Sequence, residues 1–159
     1  MPQPHPPALD PMSVATDGSS LYPPQFQHVV KGRLKRRLSP ELGLTNFGVN
    51  LTTLQPGAAS TLRHWHEAQD EFIYVVSGQL TLVTDAGKQV LGPGMCAGFP
   101  KGKPDGHHLI NETGEPASFL EVGDRTQPDK GHYADVDMAA GPDPVTGKVV
   151  FTRKDGTSY

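Results

Sequence analysis

Cysteine and long apolar runs are both scarce in this 159-residue chain. Cys96 is the single cysteine, which excludes an internal disulfide and a zinc site built from several thiolates. No apolar run approaches the roughly 20 residues that a membrane helix needs, and the mean hydropathy is −0.43. The first residues, MPQPHPPALDPM, lack the basic-then-apolar order of a secretory leader. We therefore expect a soluble, cytoplasmic protein that does not bind a membrane.

Positive charge is not in excess either. The chain has 14 Lys and Arg against 17 Asp and Glu, a formal net charge of −3, and its pI is about 6.1. This balance argues against a general affinity for nucleic acid. Residues 31–37, KGRLKRR, form a short basic cluster. We interpret this cluster as a solvated strand edge or loop rather than as a binding patch.

Proline is concentrated at one end of the chain. Seven of the 16 prolines lie in the first 24 residues, and proline fixes φ and cannot donate a backbone hydrogen bond. We expect residues 1–24 to form an extended or flexible arm. Residues 25–125 are predicted to form the main domain. Residues 126–159 are predicted to be a C-terminal extension whose one strand packs on that domain or on a partner.

Helical periodicity is missing from the main domain, and short strand-like runs take its place. Turn signals such as SG at 77–78 and DAGK at 85–88 separate these runs. Many short strands at close spacing indicate an all-β, antiparallel sandwich or barrel. The predicted strands are 46–54, 71–76, 79–84, 88–91, 107–111, 117–122 and 148–152.

The stretch RHWH at 63–66 is the first candidate for chemistry. Side chains alternate faces along a strand, so His64 and His66 project to the same side and can both reach one metal ion. The turn EAQD follows, and a strand that begins at Glu71 would return its carboxylate to the side of His66.

These residues resemble the first conserved motif of the cupins, over GAASTLRHWHEAQDEFIYVVSG at 57–78. His64, His66, Glu71 and Gly78 have the spacing of that motif. Six residues separate Gly57 from His64, where the usual motif has five. The difference affects the turn at Gly57 and leaves the positions of the candidate ligands unchanged.

A second cupin motif is matched downstream. GMCAGFPKG at 94–102 supplies its opening, and His107 with Asn111 supplies its close. Four residues, KPDG, separate Gly102 from His107, where the usual pattern has two. Neighbouring strand residues face opposite ways, so either His107 or His108 can face the site, but not both. The spacing to Asn111 favours His107, and His108 stays the alternative.

The resemblance implies an antiparallel jelly-roll β-barrel that holds one divalent transition metal per chain. Its ligands would be His64, His66, Glu71 and His107, with His108 as the alternative to His107. Imidazole with carboxylate suits Fe, Mn, Ni, Zn and Cu alike, so the metal's identity stays open. Small single-domain cupins are commonly dimers, which implies a homodimer with a small-molecule ligand or substrate.

The resemblance implies a metal-dependent enzyme that acts on a small oxygenated or acidic molecule. A dioxygenase, a decarboxylase and an isomerase all need a metal with open coordination positions, so the motif does not separate them. The alternative is a non-catalytic small-molecule-binding or sensor protein. A third hypothesis is a metal-free barrel in which the histidines serve acid–base chemistry. Tyr74, Lys101 and Lys103 are the candidate substrate-binding residues, and no catalytic residue is assigned beyond the ligands.

Overall fold

The computed structural model describes residues 6–159, and most of their regular structure is β-strand. One short helix, α1, spans Leu38–Glu41, and 3₁₀ turns span Pro11–Ser13 and Pro24–Val30. Within residues 6–159, no helix is long and apolar enough to span a membrane. The strands are β1 (Arg33–Arg37), β2 (Phe47–Leu54), β3 (His64–His66), β4 (Glu71–Ser77), β5 (Leu80–Thr84), β6 (Gly87–Leu91), β7 (Cys96–Phe99), β8 (His108–Ile110), β9 (Ala117–Asp124), β10 (Gly131–Tyr133), β11 (Ala139–Pro142) and β12 (Val149–Thr152).

The strands form three sheets in which neighbouring strands run antiparallel. Their orders are β1-β2-β9-β4-β7, β12-β11-β10-β3 and β6-β5-β8. Two isolated bridges connect the sheets. One joins His64 of the four-stranded sheet to His107, just before β8, and the other joins Ala59, in the loop before β3, to Ile110 of the three-stranded sheet. The predicted all-β, antiparallel fold class is confirmed.

The main core lies between the five-stranded and three-stranded sheets. It joins Val75 and Phe119 of the first sheet to Leu80 and Leu109 of the second. Burying an apolar side chain of this size contributes about 1.5–3 kcal/mol. The alternation that buries Ile73 and Val75 on β4 also turns Glu71 toward the same inner face.

The N-terminal segment packs on its own chain. Residues 1–5 of the predicted arm lie outside the described residues. Asp17 forms an antiparallel bridge with Lys35 of β1, and its carboxylate binds Arg37 at 2.9 Å. Tyr22 is buried in a second core with Tyr133. The segment therefore covers the outer edge of β1, where unpaired backbone groups would otherwise be exposed.

Two segments differ from their sequence interpretation. The basic cluster at 31–37 contains edge strand β1, but Arg33 is buried rather than solvated. Residues 126–159 contain three strands, β10, β11 and β12, where the sequence predicted one. β10 and β11 are three and four residues long and contain Gly, Ala and Pro, which are poor strand formers. Pairing with β3 stabilises β10, so its conformation depends on tertiary contacts.

Gly78, which ends β4, provides a test of this packing. Its φ is +72°, and an added Cβ would lie 2.7 Å from Cα of Ala117. We expect Gly78→Ala to lower the free energy of unfolding by about 2 kcal/mol or more, through backbone strain and the clash. Denaturant unfolding measures the change. Gly92→Ala is the matched control, because within residues 6–159 nothing lies within 4 Å of its added Cβ. Equal midpoints for the two variants would contradict the prediction.

Candidate metal centre

Three chain segments bring the sequence-predicted residues together. His64 and His66 project from β3, Glu71 begins β4, and His107 precedes β8. The backbone of His64 donates to and accepts from that of His107, at 3.2 and 3.1 Å. These four residues are called the His/Glu cluster below.

The Oε2 atom of Glu71 lies at the centre of the His/Glu cluster. It is 3.6 Å from Nε2 of His64, 3.7 Å from Nε2 of His66 and 2.9 Å from Nε2 of His107. Donor atoms of His64, His66 and Glu71 all lie within 4.8 Å of one another. These three residues therefore form a group that could hold a metal ion.

His107 and His108 point in different directions, as expected for neighbouring strand residues. His107 turns Nε2 toward Glu71, whereas Nδ1 of His108 lies 2.9 Å from the backbone oxygen of Thr61. The structure thus brings the favoured residue, His107, into the cluster. That His107 binds a metal stays a prediction.

A hydrogen bond at Nδ1 orients each of the three imidazoles. Donation from Nδ1–H leaves the Nε2 lone pair free to bind a metal, which is the usual arrangement around metal-binding histidines. The donor set and its outer contacts therefore fit a divalent transition metal. The acceptors are Leu62 O for His64 at 3.0 Å, Asp129 Oδ2 for His66 at 2.5 Å and Asp105 O for His107 at 3.1 Å.

Aromatic side chains hold two of the imidazole rings in place. The Phe99 ring stacks on His107 with centroids 3.6 Å apart and planes 1° apart. The Tyr133 ring stacks on His64 at 5.7 Å. Such packing restricts ring rotation, and a restricted ring loses less entropy when it binds a ligand.

The pKa shifts of His64 and Glu71 favour the protonation states that bind metal. Burial lowers the pKa of His64 to about 4, although nearby Glu71 opposes the shift. Burial raises the pKa of Glu71, but its contact with His107 and the proximity of His64 and His66 outweigh it and lower the pKa to about 2. At neutral pH, His64 is therefore neutral and Glu71 is anionic, and divalent metals bind these forms.

Two small cavities flank the cluster and share Glu71, Phe99 and His107. The first is also lined by Trp65, Gln69 and Lys103. The second is also lined by Thr61, Ile73, His108, Phe119 and Glu121. A molecule in either cavity would lie beside the cluster.

The three candidate substrate-binding residues are not brought together. Lys103 lines the first cavity. Lys101 is exposed, and its backbone N–H binds Asp70. Tyr74 is 41% exposed and alternates with inward-facing Ile73 and Val75, so it lies on the outer face of β4.

Sequence reasoning did not assign two residues of the site. Asp129 bonds to His66, 63 residues away along the chain, and no motif marks it. Glu121 lines the second cavity, and its Oε1 accepts hydrogen bonds from Lys35 at 2.5 Å and Asn50 at 2.7 Å. The alternation of β9, which turns Phe119 and Glu121 to the same face, is the signal that could have found Glu121.

Comparison with known proteins identifies the family. The Cupin domain family matches residues 50–123. A crystal structure named a sugar phosphate isomerase of the cupin superfamily, from Silicibacter pomeroyi, is 46% identical, with 96% of each chain covered and a TM-score of 0.91. The chain belongs to the cupin superfamily.

Two further crystal structures share the cupin fold at lower identity. A proposed sugar phosphate isomerase of Acidithiobacillus ferrooxidans is 26% identical, with 80% of each chain covered and a TM-score of 0.71. A polyketide cyclase of Streptomyces resistomycificus is also 26% identical, with 77% of this cupin and 82% of the cyclase covered and a TM-score of 0.62. No match was found among curated proteins.

Alanine substitutions test the metal centre of this cupin. We expect His64→Ala, His66→Ala and His107→Ala each to weaken metal affinity by more than about tenfold, because each removes a nitrogen donor. His108→Ala is the matched control and should keep the metal, because its imidazole faces Thr61. Elemental analysis of protein purified without a tag measures the metal per chain. Loss of metal in His108→Ala with retention in His107→Ala would contradict the ligand assignment.

Proposed function

We propose that this cupin is a metal-dependent enzyme that isomerises a small hydroxy-carbonyl compound. The observation that carries the proposal is the position of Glu121, a carboxylate that lines the same cavity as His64, Glu71 and His107. The name of the 46% identical Silicibacter pomeroyi protein, sugar phosphate isomerase, supports this reaction class over oxidation and decarboxylation.

The His/Glu cluster would hold the metal in this proposal. A divalent metal bound there supplies a Lewis acid, which polarises a carbonyl oxygen and acidifies the neighbouring C–H bond. The protein's own part is to hold the donor atoms in fixed positions. Hydrogen bonds at Nδ1 and the stacked rings of Phe99 and Tyr133 do this.

Glu121 is the proposed proton acceptor. Isomerisation removes a proton from the carbon next to the carbonyl and returns a proton to the former carbonyl carbon, while the hydroxyl proton moves between the two oxygens. Lys35 and Asn50 both bind Oε1 of Glu121. Within the described residues Oε2 has no hydrogen-bond partner, so it is the atom free to take the proton.

Apolar side chains form part of the cavity wall beside Glu121. Ile73, Phe99 and Phe119 line the second cavity together with Glu121, and Phe119 is 1% exposed. An apolar wall strengthens the electrostatic effect of the neighbouring charges.

Replacement of the proposed base tests the reaction. We expect Glu121→Gln to keep its metal and lower kcat by about 10²–10⁴-fold, because the amide cannot accept the proton. The measurement is the exchange of substrate C–H hydrogen for deuterium in D₂O, which NMR detects for a panel of small hydroxy-aldehydes and hydroxy-ketones. Glu112→Gln is the matched control, since Glu112 pairs with the exposed Lys88 at the opposite sheet.

Three outcomes would contradict the proposal. Full activity in metal-loaded Glu121→Gln would remove Glu121 from the mechanism. Oxygen uptake or CO₂ release in place of exchange would favour a dioxygenase or a decarboxylase. A tightly bound small molecule with no turnover would favour the non-catalytic binding protein.

We also propose that the chain forms a homodimer through the outer face of its five-stranded sheet. Phe72 and Tyr74 are each 41% exposed there, and they pair across the sheet with Val122 and Leu120. β2 continues this face with Val49 and Leu51, which pair with the same two residues. The six side chains form an uncharged apolar surface, and a self-complementary copy suits such a surface better than a charged partner.

The dimer is tested by light scattering after size-exclusion chromatography. We expect the molar mass of the wild type to be twice that of one chain. The Tyr74→Glu variant should have the mass of one chain, because burying an unpaired carboxylate in the interface is costly. Val90→Glu is the matched control, since Val90 is 57% exposed on β6, which belongs to a different sheet. A monomeric wild type would contradict the proposal.

A further inference from the structure

A third cavity, of different chemistry, lies between the N-terminal segment and β1. Its volume is about 160 Å³, smaller than the roughly 300–1,000 Å³ of drug-sized sites. Its lining residues are Ser19, Ser20, Leu21, Tyr22, Arg33, Lys35, Arg37 and Phe151, and none of them belongs to the His/Glu cluster. We propose that this cavity binds the oxyanion group, phosphate or carboxylate, of a small molecule.

The burial of Arg33 without an anionic partner is the main observation behind the proposal. Arg33 is only 9% exposed. Its guanidinium donates hydrogen bonds to two neutral carbonyl groups, Ser60 O at 2.8 Å and Ser19 O at 3.1 Å. Within residues 6–159, its buried Nε has no hydrogen-bond partner and the guanidinium has no ion pair. A buried cation without a paired anion is costly, so the site is incomplete without a negative group.

The other two cations lie on the same face of β1. Arg33, Lys35 and Arg37 alternate with outward residues, so all three project to one side. Lys35 pairs with Glu121 and Arg37 pairs with Asp17. Neither carboxylate lines the cavity. Three positive charges against two negative ones leave one positive charge to be balanced.

The geometry and chemistry of this wall suit an oxyanion. A guanidinium carries its N–H donors in a planar fork that matches carboxylate and phosphate oxygens. Ser19 and Ser20 add hydroxyl groups to the wall. Arg37 keeps 55% of its side chain exposed, so the cavity is accessible to a ligand from solvent.

The cavity is separate from the metal centre but close to it. Tyr22, in the cavity wall, makes an edge contact with Tyr133 at 5.7 Å, and Tyr133 stacks on His64. Phosphate can also bind a metal ion directly. Binding is therefore measured on chelator-treated protein, which makes the result independent of the isomerase proposal.

Calorimetric titration with inorganic phosphate tests the pocket, with acetate as the carboxylate probe. We expect saturable binding to the metal-free protein, weakened about tenfold or more in Arg33→Met, because a charge-assisted hydrogen bond is lost. Arg33→Met can also disturb folding, so Arg37→Met provides the same test at an exposed position. Asp17→Asn should change affinity in the opposite direction and tighten binding, since it removes a negative charge near Arg37.

Lys88→Met is the control for general charge effects. Lys88 is exposed on β6 and pairs with Glu112, away from the cavity, so its removal should leave phosphate affinity unchanged. Saturation by acetate but not phosphate would assign the carboxylate form of the ligand. No saturable binding of either ion, binding that requires the metal, or equal weakening in Arg37→Met and Lys88→Met would each overturn the proposal.

Discussion

The backbone bridge between His64 and His107 is the contact on which the candidate centre depends. Two hydrogen bonds join residues that lie 43 positions apart, and they connect the sheet that contains β3 to the sheet that contains β8. Because the bridge aligns these segments, His64 and His107 share one face and both reach Glu71. The pairing of β4 with β9 then adds Glu121 to the same interior.

The C-terminal segment fixes the orientation of this centre. Asp129 holds the ring of His66, and Tyr133 on β10 holds the ring of His64. β10 pairs directly with β3. Outer contacts of this kind tune a metal site because they set the tautomer and the direction of each ligand. Residues 126–159 are thus part of the site's support.

Charged residues in the interior follow from the same architecture. β1 is an edge strand, so its free edge pairs with Asp17 of the N-terminal segment rather than with another strand of the sheet. Lys35 lies between the two regions: it lines the basic cavity and binds Glu121, which lines the cavity beside the cluster. One ion pair therefore connects the proposed proton acceptor to the proposed oxyanion pocket.

Local patterns in the sequence determined the antiparallel all-β fold, the shared face of His64 and His66, and the position of Glu71 at the start of the next strand. These features depend on the two-residue period of a strand and on short turns, which neighbouring residues specify. The favoured choice of His107 came from spacing alone, and the structure supplied the register that turns it toward Glu71.

Tertiary structure alone decided the role of Asp129, the burial of Arg33 and the strands β10 and β11. Asp129 reaches His66 across 63 residues, and spacing within a motif cannot specify such a contact. A basic run on an edge strand is usually solvated, but here Tyr22 and Ser19 cover Arg33. β10 pairs with β3, which supplies its hydrogen-bonding partner, although β10 is only three residues long and begins with Gly, a poor strand former. In each case, the partner that determines the structure is distant in the chain.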